Sequence, residues 1–167
     1  SCGGLVGINS GSVSNSYATS AVICYSPYHC EAIGGLIGAN AGPVTTCYST
    51  GIVSVPDYVS VNIGGLVGSG EQAITSSSFW DSQTSGLVDS AGCTGLPTAL
   101  MQTLSTFANA AWDFDAVWYM LPEGSYPYLG ALPQIIVPDV SAMSESDALD
   151  ALETAGLPVQ VIYEHSA

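Results

Sequence analysis

The sequence contains no lysine and no arginine against 14 aspartates and glutamates, a formal net charge of -14 over 167 residues. Nucleic-acid binding through phosphate contacts is therefore excluded as a working class, because counterion release needs cations on the protein. Anionic membrane surfaces are disfavoured for the same reason. Side-chain ion pairs require a protonated His29 or His165, the two histidines present, so stability must come from burial, backbone hydrogen bonds and cross-links. No apolar run reaches the roughly 18 to 20 residues that cross a bilayer, and no membrane insertion is expected. The N-terminus also lacks the basic segment of a signal peptide, and Ser1-Cys2-Gly3-Gly4 reads as a processed or truncated edge that cuts into a repeat.

The scarcity of histidine limits chemistry as well. No serine is set in a nucleophile-elbow pattern and a Ser-His-Asp arrangement has little material, so no enzymatic activity is expected. His29 beside Cys30, with Cys24 near, lacks the three or four converging ligands a metal needs. No metal is assigned there. A Cys24–Cys30 disulfide around the turn-rich Tyr25 to His29 is preferred, which points to an oxidising compartment. Five cysteines leave one over: Cys2–Cys93, or a bond from Cys2 to another subunit, is the second candidate pairing, and Cys47 reads as a packed thiol.

What is present is a repeat. Gly3-Gly4-Leu5-Val6-Gly7, Gly34-Gly35-Leu36-Ile37-Gly38 and Gly64-Gly65-Leu66-Val67-Gly68 start 31 and then 30 residues apart. Each is followed by a Ser/Thr-rich run that ends in Tyr17, Tyr48 or Phe79. A constant period of this size marks one supersecondary unit stacked on its own copies. Short strands are expected at Leu5-Val6, Val13 to Tyr17 and Ala21 to Ile23, and again at Leu36-Ile37, Val44 to Tyr48 and Ile52 to Val55. The glycine pairs suit tight corners or close backbone packing. The fold class is mainly β, a β-solenoid over residues 1–96.

The third repeat departs after Phe79, as a stack does where it ends. From Pro97 to Phe107 the spacing of Leu100, Met101, Leu104 and Phe107 predicts a capping helix with Thr98 as its N-cap. Trp112, Trp118 and Tyr126 belong to an aromatic segment expected to lie as a lid over the last layer's open end, making 97–132 one unit. Trp80 and these rings could instead offer a sugar-stacking platform. Beyond Pro133 acids accumulate, and a small β-α-β unit is expected over 133–167. Its parts are a strand at Ile135 to Val140, a helix capped by Ser144 and closed by Gly156, and a strand at Val159 to Tyr163. Asp81, Asp89, Asp113 and Asp115 are the carboxylates that could hold Ca²⁺, a hard cation seeking clustered oxygens. No other cofactor is expected.

The Gly-Gly-Leu-Val-Gly segments with Gly11-Ser12-Val13 to Thr19 and their later copies resemble GLUG-motif repeats. The run from Ser78-Phe79-Trp80-Asp81 to Tyr126-Pro127-Tyr128-Leu129 is similar to the segment that closes such arrays. Val137-Pro138-Asp139-Val140, Ala155-Gly156-Leu157 and Val159 resemble the first half of a PASTA module. These resemblances imply an extracellular, cell-surface setting of the adhesin kind. The expected role is a non-enzymatic structural subunit or segment of a filament, appendage or adhesin stalk, assembling head-to-tail through incomplete ends with copies of itself or other surface proteins. The alternatives are a glycan- or cell-wall-binding module of a larger adhesin and an accessory segment of a secreted peptidase.

Overall fold

The computed structural model describes residues 1–25, 31–56, 62–70, 75–121, 124–130, 137–157 and 159. The chain divides into two compact units, Ser1–Leu129 and Gly130–Ala167.

In the first unit each repeat contributes four short strands. The first has β1 (Cys2–Gly3), β2 (Val6–Asn9), β3 (Val13–Ala18) and β4 (Val22–Ile23); the second has β5 (Ala32–Gly34), β6 (Ile37–Asn40), β7 (Val44–Ser49) and β8 (Val53–Ser54). The third has β9 (Asn62–Gly64), β10 (Val67–Gly70), β11 (Thr75–Ser76) and β12 (Phe79–Asp81). Corresponding strands pair in parallel, in the orders β1-β5-β9 and β2-β6-β10, while β7 joins β3 to β11 and β12 and β4 pairs β8. The register follows the sequence period: Gly3, Gly34 and Gly64 are partners, as are Val6, Ile37 and Val67. The fold is thus mainly β, built from several parallel sheets in which each repeat supplies one layer. Sequence reading missed the strand at the glycine pair, because Cys2-Gly3 and its copies carry too few residues to show alternation.

Close packing, and not special backbone angles, explains the glycine pairs. Gly3, Gly4, Gly34, Gly35, Gly64 and Gly65 all keep ordinary negative φ. A methyl built on Gly3 would stand 2.6 Å from the Leu36 carbonyl oxygen of the next layer, and one on Gly35 would collide with the Gly65 carbonyl. The left-handed positions lie elsewhere, at Asn15, Thr46 and Ser77, with φ of 46°, 50° and 47°. They occupy one column and kink the long strand, so that Val13, Val44 and Cys47 face one core cluster while Tyr17 and Tyr48 face another.

Three clusters hold the unit together. Leu36, Ile37, Val44, Cys47, Leu66, Val67 and Trp80 form the first, and Val22, Cys24, Ile33 and Val53 the second. The third is aromatic and is described below. Cys24 is buried in the second cluster; Cys30, its expected partner, lies outside the described residues, as do His29 and His165. Cys2, Cys47 and Cys93 are free, which corrects the Cys2–Cys93 pairing. Cys2 is in the first layer, opposite Ile33, whereas Cys93 adjoins Thr94 opposite Phe79 of the third layer in another sheet. Two strand spacings alone amount to ~9.5 Å, beyond the ~7 Å that a disulfide tolerates between Cα atoms.

After β12 come α1 (Ser82–Ser85), β13 (Thr94–Leu96), α2 (Thr98–Met101), α3 (Leu104–Ala108), β14 (Trp118–Tyr119) and β15 (Tyr128–Leu129). The single capping helix expected from Pro97 to Phe107 is therefore two short ones, broken at Gln102-Thr103. Thr98 lies inside the first; its N-cap is Pro97, which has no side-chain donor or acceptor to give. Met101 and Phe107 are buried, and Leu100 and Leu104 are exposed. In the second unit, α4 (Glu145–Thr154) is capped by the Ser144 hydroxyl, which accepts from the Asp147 N–H, and it ends before Gly156 at φ 76°. The strand expected at Ile135 to Val140 is not formed over its described residues 137–140, while 135 and 136 lie outside the described residues, as does all but Val159 of the strand expected at Val159 to Tyr163.

Candidate interaction surface

The column Tyr17, Tyr48 and Phe79 organises the third cluster. Parallel register places each ring above the last, and the Tyr17 and Tyr48 rings stack at 5.1 Å and 3°. Around Tyr48 gather Phe107, Trp112, Trp118 and Tyr126, each with its ring centroid within 6.4 Å. Trp112 and Trp118 touch each other at 4.4 Å. The Tyr48 hydroxyl donates to the Pro127 carbonyl at 2.5 Å, and burial drives its pKa well above the ordinary tyrosine value.

This aromatic segment runs along the stack as a strap, which corrects its expected position over the last layer's end. Trp118 reaches the first layer, where its Nε1 donates to Asn15 Oδ1 at 3.4 Å, and Trp112 Nε1 donates to the Ser77 carbonyl in the third at 2.8 Å. An aromatic column offers its apolar area along its length, so rings seeking burial follow the column. Trp112 and Trp118 are 4% and 0% exposed, and no ring face is left on them for a sugar.

The end of the third layer is closed by other means. Trp80 stands where Ala18 and Ser49 stand in the earlier layers, 3% exposed, and fills the interior between Gly65 and Gly95. Ser90 Oγ accepts from the Leu66 and Val67 N–H groups at 3.1 and 2.8 Å, and the Gly65 N–H donates to the Asp89 carbonyl. In the layers below, the equivalent donors Leu36 and Ile37 are taken by the Leu66 carbonyl. Ser90 thus supplies by side chain what a further layer would supply by backbone. Nothing in its sequence surroundings marks it, since one serine among many carries no pattern.

Asp81 is the buried carboxylate of this region. Its Oδ1 accepts from the Gln83 and Thr84 N–H groups as the N-cap of α1, and its Oδ2 accepts from the Tyr126 hydroxyl at 2.7 Å. Desolvation pushes its pKa up, but hydrogen bonds from Tyr126, Thr98, Thr84 and Gln83 outweigh it and hold the carboxyl below its ordinary value. Burial first, then the bond to Asp81, push Tyr126 up to about 12. Asp113 Oδ1 accepts from the Asp115 and Ala116 N–H groups, and Asp89 Oδ1 from that of Ser90. The backbone N–H bonds that Asp81, Asp89 and Asp113 accept are those of turns and a helix cap; among the described residues no three metal-ligating side chains gather.

The opposite edge is open. Leu5 is 51% exposed whereas Leu36 and Leu66, its counterparts, are 0% exposed.

No family model matches the chain, and no solved structure matches it. It is 38% identical over 71 residues to a protein of Evansella cellulosilytica named as a Gly-rich membrane protein, a match covering 40% of this chain and 8% of that protein. The chain thus corresponds to a small part of that relative's length.

Proposed function

We propose that residues 1–96 form a short β-solenoid of GLUG-type repeats, strapped by 97–132, and that the chain is a structural segment of an extracellular surface protein, such as an adhesin stalk or appendage. The C-terminal 133–167 is the PASTA-like half module of this reading. The observation that carries it is the in-register parallel pairing of the three repeats, with Gly3, Gly34 and Gly64 in one column and Tyr17, Tyr48 and Phe79 in another. Such stacking turns sequence repetition into length, which is what a stalk contributes. A Cys24–Cys30 bond belongs to the same proposal and fits an oxidising compartment.

Immunogold microscopy of intact source cells tests the reading. Label standing away from the envelope is expected; label confined to the cell interior overturns it. The rival glycan-binding reading has less support, because Trp80, Trp112 and Trp118 are buried. Retention of the folded chain on a glycan or peptidoglycan array would restore it.

A further inference from the structure

In the first layer Gly11 has no steric reason to be glycine in this structure and Gly7 has only one tight contact, yet their counterparts one layer on are hemmed in by the layer beneath. A methyl built on Gly42 would collide with the Gly11 carbonyl beneath it; one built on Gly11 meets nothing within 4 Å. A methyl on Gly38 would stand 2.6 Å from the Gly7 carbonyl oxygen and 2.7 Å from the Cys2 backbone, and one on Gly68 would stand 2.5 Å from the Ile33 backbone. Gly7, the first-layer member of that column, meets only the Ser1 backbone, at 3.1 Å. Neither Gly7 nor Gly11 has a positive φ. The missing side chains clear the outer side of the first layer, where the layer beneath lies in the other two.

The backbone and the exposed side chains agree with that clearance. The Leu66 carbonyl accepts from Leu36 and Ile37 N–H, and the Leu36 carbonyl from Leu5 and Val6 N–H. By the same step the Leu5 carbonyl is placed to accept from the leucine and valine N–H groups of one more layer. Leu5 is half exposed where its counterparts are buried, and Val6 and Val13 are half-buried where Ile37 and Val44 are buried. One corner departs from the pattern. Ser20 stands where Gly51 stands in the second layer, so an added layer must shift there by the width of a methyl.

Resting on the repeat-segment reading above, we infer that the outer edge of the first layer docks one further parallel layer of the same glycine-paired repeat, supplied by the same polypeptide on the N-terminal side. A second copy does not fit the requirement. The edge it would have to present carries the Leu66 and Val67 N–H groups, and Ser90 already closes these within each chain. The Evansella cellulosilytica relative, of which this chain matches 8%, shows that such sequence sits inside far longer polypeptides.

The test places a duplicate of residues 1–31 ahead of Ser1, one period in register, and introduces Gly11→Ala in the original copy with and without that extension. In the unextended chain Gly11→Ala is expected to leave the thermal midpoint unchanged. In the extended chain it is expected to lower the midpoint by about 5 °C, as overpacking of ~1–3 kcal/mol does in a chain of this size, and as Gly42→Ala does in either. A Gly11→Ala that is silent in the extended chain overturns the inference. A peptide of residues 1–25, titrated calorimetrically into the unmodified chain, gives a second measurement that does not depend on how the extended chain folds. Binding that Gly11→Ala abolishes supports the docking edge, and absence of binding counts against it. Concentration-dependent dimerisation of the unmodified chain that Gly11→Ala removes would assign the edge to a second copy and overturn the inference. Label inside the cell in the immunogold experiment would remove the surface role and leave this result standing.

Discussion

The first and second layers share nearly the same glycine motif and have very different surroundings. Gly-Gly-Leu-Val-Gly and Gly-Gly-Leu-Ile-Gly make the same strands in the same register, yet Leu5 is half exposed and Leu36 fully buried. The difference lies in the neighbours, since the second layer has a layer on each side. In stacked repeats burial is set by position in the stack, and the same residue is core in one layer and surface in the next.

Truncation should break the comparison most sharply. Leu36→Ala is expected to cost about 3–5 kcal/mol in urea unfolding, the range of buried leucine truncations, while Leu5→Ala costs under ~1 kcal/mol. Equal losses would mean that the first layer is covered in solution.

Alkaline pH should separate the layers next. Burial raises Cys47 to about 11, whereas its register partner in the first layer is Ser16, which does not titrate there. The unfolded thiol loses its proton near 9. The folded state's advantage is therefore complete below pH 9 and is lost as pH rises through about 11, a fall of about 3 kcal/mol. Cys93, raised to about 12, adds to the same fall. Cys47→Ser, which copies Ser16 and Ser78, is expected to flatten this slope in denaturation curves recorded from pH 8 to 11.

At the closed end, Asp81→Ala should cost about 2 kcal/mol, through loss of the α1 cap and of the Tyr126 partner. Because the Asp81 pKa is depressed, its contribution is present above the ordinary carboxylate range and is lost as pH falls through the folded value. Acid titration of stability should show that loss in the parent and not in the variant.

The smallest effect concerns the left-handed column. Thr46 is β-branched at φ 50°, a position that Asn15 fills in the first layer, so Thr46→Asn should raise stability by up to ~1 kcal/mol. A loss would show that the hydrogen bond from Thr46 Oγ1 to Asn15 Oδ1, 2.6 Å long, outweighs the strain.

Much of the architecture was legible because repetition is a long-range signal that survives weak local propensity. The spacing of Tyr17, Tyr48 and Phe79 gives their pairing directly. Strand ends were less legible. Two-residue strands such as Val22–Ile23 have no internal period and exist through their parallel partners. The kink at Asn15, Thr46 and Ser77 was invisible, since threonine and serine carry no left-handed signature. Trp80, Trp112 and Trp118 could be read as core or as platform from composition alone, and only their burial decides for core.

By itself the sequence determined the period, the register of the three repeats and the lack of lysine and arginine, because these depend on residue identity and spacing alone. Tertiary structure decided that the aromatic segment lies along the column, that Trp80 and Ser90 close one edge, and that Leu5 is left half exposed at the other. Those outcomes depend on which surfaces meet, and area is removed from water only by a neighbour that the local sequence does not name.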